Sequence, residues 1–94
     1  MDICGKGEAK GKDFCVAFRA DMDALPMTEL NHDLPYLSKN VGSAHMCGHD
    51  GHVTCLVGFV PLFLKEIENY PKNKKVRLLF QPAEETVNGA KFMV

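Results

Sequence analysis

The chain has 94 residues, 46% of them hydrophobic, and 11 lysines and arginines against 12 aspartates and glutamates, a formal net charge of −1. This length allows one small domain with a modest core. The charge balance excludes a nucleic-acid binder that relies on counterion release and a polybasic membrane-surface segment, and the apolar share excludes a chain built to stay disordered.

The start, Met1-Asp2-Ile3-Cys4-Gly5-Lys6, lacks the basic-then-apolar pattern of a secretory signal. The longest apolar run, Val53 to Leu64, is broken by Thr54, Gly58 and Pro61, and it falls short of the roughly 20 residues a membrane helix needs. A cytoplasmic protein is expected. Cysteines stand at 4, 15, 47 and 55 with no Cys-x-x-Cys. Their even number permits a disulfide framework, but nothing points to secretion and Cys47 sits among histidines.

Residues 1–13, rich in glycine and lysine, predict a flexible arm or a turn between strands. They are no phosphate loop, because the Gly-Lys-Ser/Thr ending is missing. Phe14 to Phe18 predicts a strand buried on both faces of a sheet. It runs into Arg19-Ala20-Asp21-Met22-Asp23-Ala24-Leu25-Pro26. Asp21 and Asp23 are costly to bury there unless paired or metal-bound, and strand carboxyl ends are where ligands gather in open α/β sheets. A salt bridge to Arg19 is the plainer reading of this pair. Residues 27–44 are polar, turn-forming and without a period, which predicts a loop. Val53, Leu56, Val57, Val60, Phe63, Leu64 and Ile67 follow a three-four spacing, which predicts a helix over 53–70, kinked or weakened at Pro61. Val76 to Phe80 predicts a second strand, with Gln81-Pro82-Ala83-Glu84-Glu85 leaving its carboxyl end. Residues 89–94 read as the beginning of a helix. The order predicts an α/β fold, a mixed sheet flanked by helices, with ligands gathered at the strand ends.

The stretch His45-Met46-Cys47-Gly48-His49-Asp50-Gly51-His52 places three histidines, a cysteine and an aspartate within eight residues. Any one of these histidines alone reads as a hydrogen-bonded turn residue; the density of donor types favours a metal. Thiolate and imidazole suit zinc and its neighbours. Cys47 and His49, one residue apart, project to the same side if extended, and Gly48 between them permits positive φ. Asp50 can orient an imidazole. A catalytic Cys-His pair is the other reading of the same residues. Glu84-Glu85 in isolation reads as a solvated pair; in a metal site one glutamate can ligate while its neighbour activates water.

The segments 19–26, 45–52, Phe80-Gln81-Pro82-Ala83-Glu84-Glu85 and Gly89-Ala90, in this order, resemble the amidohydrolase branch of the co-catalytic zinc metallopeptidases. That branch includes hippurate hydrolases, N-acyl-amino-acid amidohydrolases and the plant hydrolases of auxin–amino-acid conjugates. The resemblance covers roughly residues 14–94 and implies part of a zinc-exopeptidase-like catalytic domain. It implies Cys47, His49 and Glu85 as metal ligands. It implies catalytic roles for Glu84, the base that takes a proton from the attacking water, and for Asp23, which supports the metal site. Asp21, His45, Asp50 and His52 take supporting roles. The implied reaction is hydrolysis of a small N-acyl amino acid to a carboxylic acid and an amino acid, with two divalent cations (zinc, manganese or cobalt) in a complete site. Complete relatives are expected to be homodimers with a second, lid domain and further histidine ligands downstream. No histidine follows His52 here, so 14–94 reads as a partial domain without the lid. A truncated, non-catalytic remnant acting as a metal-binding or structural subunit is the alternative.

Overall fold

The computed structural model describes residues 1–86 and 88–94. In chain order the elements are β1 (Asp2–Cys4), β2 (Phe14–Asp21), α1 (His49–Lys65), β3 (Lys74–Gln81) and a short 3-10 turn, Gly89–Phe92. The strands form one mixed sheet of order β1-β3-β2. β2 runs parallel to β3, with Phe14 opposite Lys74 and Asp21 opposite Gln81, and β1 runs antiparallel to β3. The parallel pair is joined through α1, which packs along β2. The fold is thus α/β, a mixed sheet with a helix.

The core is where the alternating apolar side chains of the sheet meet the helix. Ala20, Val76, Leu78 and Leu56 are buried, with Ile3, Val53, Phe59, Val60, Phe63, Tyr70 and Phe80 around them. Leu78, on the central strand, is 1% exposed. The Phe18 and Phe59 rings lie 5.4 Å apart and join β2 to α1. The radius of gyration is 17.2 Å and the extents are 52 × 31 × 14 Å. A compact domain of this length has a radius near 12 Å, so the chain forms a plate.

Three expectations are corrected. Within the stretch 1–13, expected as an arm or turn, Asp2–Cys4 is a strand; its order comes from pairing with β3, and Arg77 clamps Asp2 with two hydrogen bonds of 2.7 Å. β2 is not buried on both faces. Phe14 and Phe18 are 59% and 43% exposed, and Cys15, Ala17 and Arg19 on the opposite face are exposed as well, because α1 packs on the face that carries Phe18. The helix begins at His49 rather than Val53 and ends at Lys65, followed by turns. Its first turn is polar and invisible to apolar periodicity; it starts because Gly48, at φ 89°, supplies a left-handed residue immediately before it. Pro61 lies within a helix assigned continuously over 49–65. The proline costs one backbone hydrogen bond, and packing of Leu56, Phe59, Val60 and Phe63 on either side offsets it.

Residues 22–48 carry neither strand nor helix, but they are tied down. Leu25 and Ala44 form a two-way bridge, with N–H to carbonyl distances of 2.9 and 3.1 Å. Ser43 carbonyl accepts from the Ser38 hydroxyl at 2.6 Å, and the Glu29 carboxylate accepts from the Ser38 N–H at 2.9 Å.

Candidate metal centre

Two strand ends and one helix start meet at one edge of the plate. Asp23 follows β2, Glu84 and Glu85 follow β3, and Cys47 and His49 flank the glycine that opens α1. His49 is the pivot. It is 4% exposed, and its Nδ1 lies 3.1 Å from both the backbone carbonyl and the Oδ1 of Asp23. A carbonyl oxygen only accepts, so Nδ1 carries a hydrogen. That leaves Nε2 as the ring's free end. Nε2 lies 3.8 Å from Glu85 Oε1 and 4.0 Å from Glu84 Oε2. Asp23 does a second job: its Oδ2 accepts from the Glu85 N–H at 3.1 Å. One carboxylate therefore orients the imidazole and anchors the turn that carries both glutamates.

That turn is held by close backbone contacts. Ala83 sits at φ 53°, a left-handed geometry that costs a non-glycine residue about 1–2 kcal/mol. Its carbonyl accepts from the Gly89 N–H at 3.1 Å and the Thr86 hydroxyl at 3.2 Å. Gly89 passes so near the Pro82 carbonyl that a Cβ there would lie 1.5 Å from the oxygen.

Single donor atoms of Cys47, His49 and Glu85 all lie within 4.8 Å of one another, and the same holds for Asp21, His49 and His52. His52 Nδ1 is 3.5 Å from Asp21 Oδ2, and the His49 and His52 rings stack at 5.4 Å. His45 and Asp50 belong to neither group; with Glu29 and Tyr36 they line a separate cleft of about 270 Å³. Asp50 stands one residue past His49 in the first turn of α1, where its charge complements the helix dipole. A residue that sequence reasoning gave no role is Gln81, 7% exposed, whose Oε1 accepts from Arg19 Nη1 at 2.7 Å. A polar side chain directly after the apolar run Leu78-Leu79-Phe80 was its only signal.

Acidic groups dominate the electrostatics of the site. Among the described residues, Asp23, Glu84 and Glu85 pair with no lysine or arginine, only with His49. The hydrogen bond to Glu85 pushes the Cys47 thiol above its ordinary range, and desolvation and the charges of Glu85, Glu84 and Asp23 push it the same way. Burial works against a proton on His49, but the Asp23 carbonyl and carboxylate outweigh it and raise the imidazole. Burial likewise opposes the Asp23 charge, and the hydrogen bonds from the Glu85 and Glu84 backbone and from His49 hold it below the usual carboxylate range. A thiol, an imidazole nitrogen and a carboxylate that converge with excess negative charge fit a borderline divalent cation.

The fold and this donor set are those of a domain that gathers candidate metal ligands at its strand ends. The chain belongs to the peptidase family M20/M25/M40, whose profile matches residues 17–94. It is similar to the hippurate hydrolase of Campylobacter jejuni, 47% identical over 94 residues, covering 100% of this chain and 22% of that protein. It is 48% identical over 89 residues to the N-acetyl-L-cysteine deacetylase of Bacillus subtilis, 95% of this chain and 20% of the relative. A Rhodococcus jostii protein provisionally named glutamate–cysteine ligase 2-3 shares 46% over 86 residues, which is 92% of this chain and 10% of that much longer protein. Among solved structures, a Bacillus subtilis protein described as a dinuclear metal binding peptidase of the M20 family superposes with a TM-score of 0.80 at 38% identity, over 96% of this chain and 23% of that one. The chain thus spans about a fifth of the length of the hydrolases it matches.

Proposed function

We propose that this segment is the metal-holding part of an enzyme that hydrolyses N-acyl amino acids, releasing a carboxylic acid and an amino acid. The observation that carries the reading is the convergence of Cys47, His49 and Glu85 within 4.8 Å. The names of two relatives, hippurate hydrolase and N-acetyl-L-cysteine deacetylase, support the substrate class, since each denotes an acyl group on an amino-acid nitrogen. Cys47, His49 and Glu85 would hold a divalent cation, with zinc, manganese and cobalt the candidates. The cation supplies Lewis acidity, polarising the amide carbonyl and acidifying water.

The chain's own residues do the rest. Asp23 fixes the His49 ring through Nδ1 and holds the Glu85 backbone, so one side chain sets two of the three donors. Glu84, 43% exposed at its side chain and beside His49 Nε2, takes a proton from the water that attacks the amide carbon and delivers it to the leaving amine. Four free cysteines, one of them in the donor set, suit a reducing compartment such as the cytoplasm.

The test combines metal content with turnover. We expect the cobalt-loaded protein to release glycine from hippurate, Cys47→Ser to lose the ion, and Glu84→Gln to keep the ion and lose turnover. Unchanged turnover in Glu84→Gln refutes the base; metal uptake with hippurate left intact favours the second reading, a non-catalytic metal-holding or structural subunit.

A further inference from the structure

Asp21 is buried at 7% exposure, and a carboxylate there needs its charge matched. Arg19 supplies the match. Its Nη1 donates to Asp21 Oδ1 and, at 2.7 Å, to Gln81 Oε1. Asp21 and Gln81 are register partners, the last residues of β2 and β3, so one guanidinium ties together the two strand ends that lead to Asp23 and to Glu84-Glu85. The other Asp21 oxygen faces His52 Nδ1 at 3.5 Å. His52 lies one helical turn beyond His49, on the same side of α1, and its ring stacks on His49 with 28° between the planes.

We infer that Asp21 is a positioning residue of the metal centre: braced by Arg19 and Gln81, it holds the His52 ring against His49 and so sets where His49 Nε2 faces relative to Cys47, Glu84 and Glu85. The inference rests on the reading that Cys47, His49 and Glu85 hold a divalent cation. Asp21, His49 and His52 also fall within ligand distance of one another, which invites a second reading as a cation site of their own. Two observations count against it: the Asp21 charge is matched by Arg19, and His49 Nδ1 is engaged by Asp23 while Nε2 faces the glutamates. The His49 ring is therefore gripped from two directions, by Asp23 through a nitrogen and by His52 across its face.

Two measurements on the 94-residue chain test this, and one needs no metal. In the metal-free chain, Asp21→Asn should move the ring-nitrogen resonances of His49 as well as those of His52; with cobalt, it should weaken binding about tenfold to a hundredfold while the thiolate-to-cobalt charge-transfer band survives. Asp21→Glu should restore part of both effects. Unmoved His49 nitrogens together with a cobalt affinity within about twofold of the original would overturn the inference, and so would loss of the charge-transfer band. Where Asp21→Asn prevents folding, Arg19→Lys on the half-exposed side of the brace must shift the same nitrogens, and its failure to do so is equally decisive. A chain that takes up no cobalt at all overturns the metal reading itself, while the ring nitrogens still decide whether Asp21 holds His49.

Discussion

Gly89→Ala is a one-carbon change with a calculable consequence for the metal centre. The new Cβ would stand 1.5 Å from the Pro82 carbonyl oxygen, 2.7 Å from its carbon and 3.0 Å from the Ala83 carbon. Those are backbone atoms, so no side chain can swing aside. To reach ordinary contact the two segments must part by about 1.9 Å. The turn between them carries Glu84 and Glu85 and is pinned by Gly89 N–H to Ala83 carbonyl and by Glu85 N–H to Asp23. Neither bond, each 3.1 Å long, survives a movement of that size. Overpacking of this kind costs about 1–3 kcal/mol, and the lost hydrogen bonds add roughly 1–2 more where they are partly solvated. We therefore expect a loss of about 2–5 kcal/mol in chemical denaturation and cobalt binding weakened by at least about tenfold as Glu85 withdraws. Gly58→Ala is the control. Nothing lies within 4 Å of its Cβ position in the middle of α1, so it should gain up to about 1 kcal/mol. If Gly89→Ala denatures within about 0.5 kcal/mol of the parent and binds cobalt as well, the close approach does not hold the glutamate turn in place.

Two further outcomes follow from β1 and from the core. Hydrogen bonding to Arg77 lowers Asp2 to about 2 from an ordinary 3.8, so its contribution is fully present above about pH 4 and is lost as pH falls toward 2; amide exchange at Leu78, whose N–H is bonded to the Met1 carbonyl at 2.8 Å, should accelerate over that window, and an identical acid response in Asp2→Asn would refute the pairing. Leu78→Ala, at the most buried side chain of the sheet, should cost about 2–5 kcal/mol in denaturant unfolding, and a loss below about 1 kcal/mol would show that the core does not centre on β3.

What could be read from the chain depended on whether the cause was local. The second strand is legible because Val76, Leu78 and Phe80 put apolar side chains at every second position, and the candidate donors are legible because their side chains name their chemistry. The strand Asp2–Cys4 is not, since its three residues have no pattern and its order comes from Lys75 to Arg77, more than seventy positions away. The start of α1 is hidden because it depends on the backbone of Gly48 rather than on apolar spacing. Exposure of Cys15, Ala17 and Arg19 depends on which face of β2 the helix covers, which no property of those residues announces. In the site, a carboxylate at position 23 is visible in the sequence, but the partnership of its backbone carbonyl with His49 is not, because every residue has a carbonyl.

The bridge between Leu25 and Ala44 divides the long connection from the chemistry beside it. With its neck tied by two hydrogen bonds and Ala44 buried at 2% exposure, the stretch 26–43 behaves as a closed ring attached at one point. Lengthening such a ring is thermodynamically inexpensive, since each doubling costs only about 0.6 kcal/mol in closure entropy. Evolution or an engineer can thus rewrite this loop, or splice a recognition segment into it, while Asp23 upstream and Cys47 downstream keep their places.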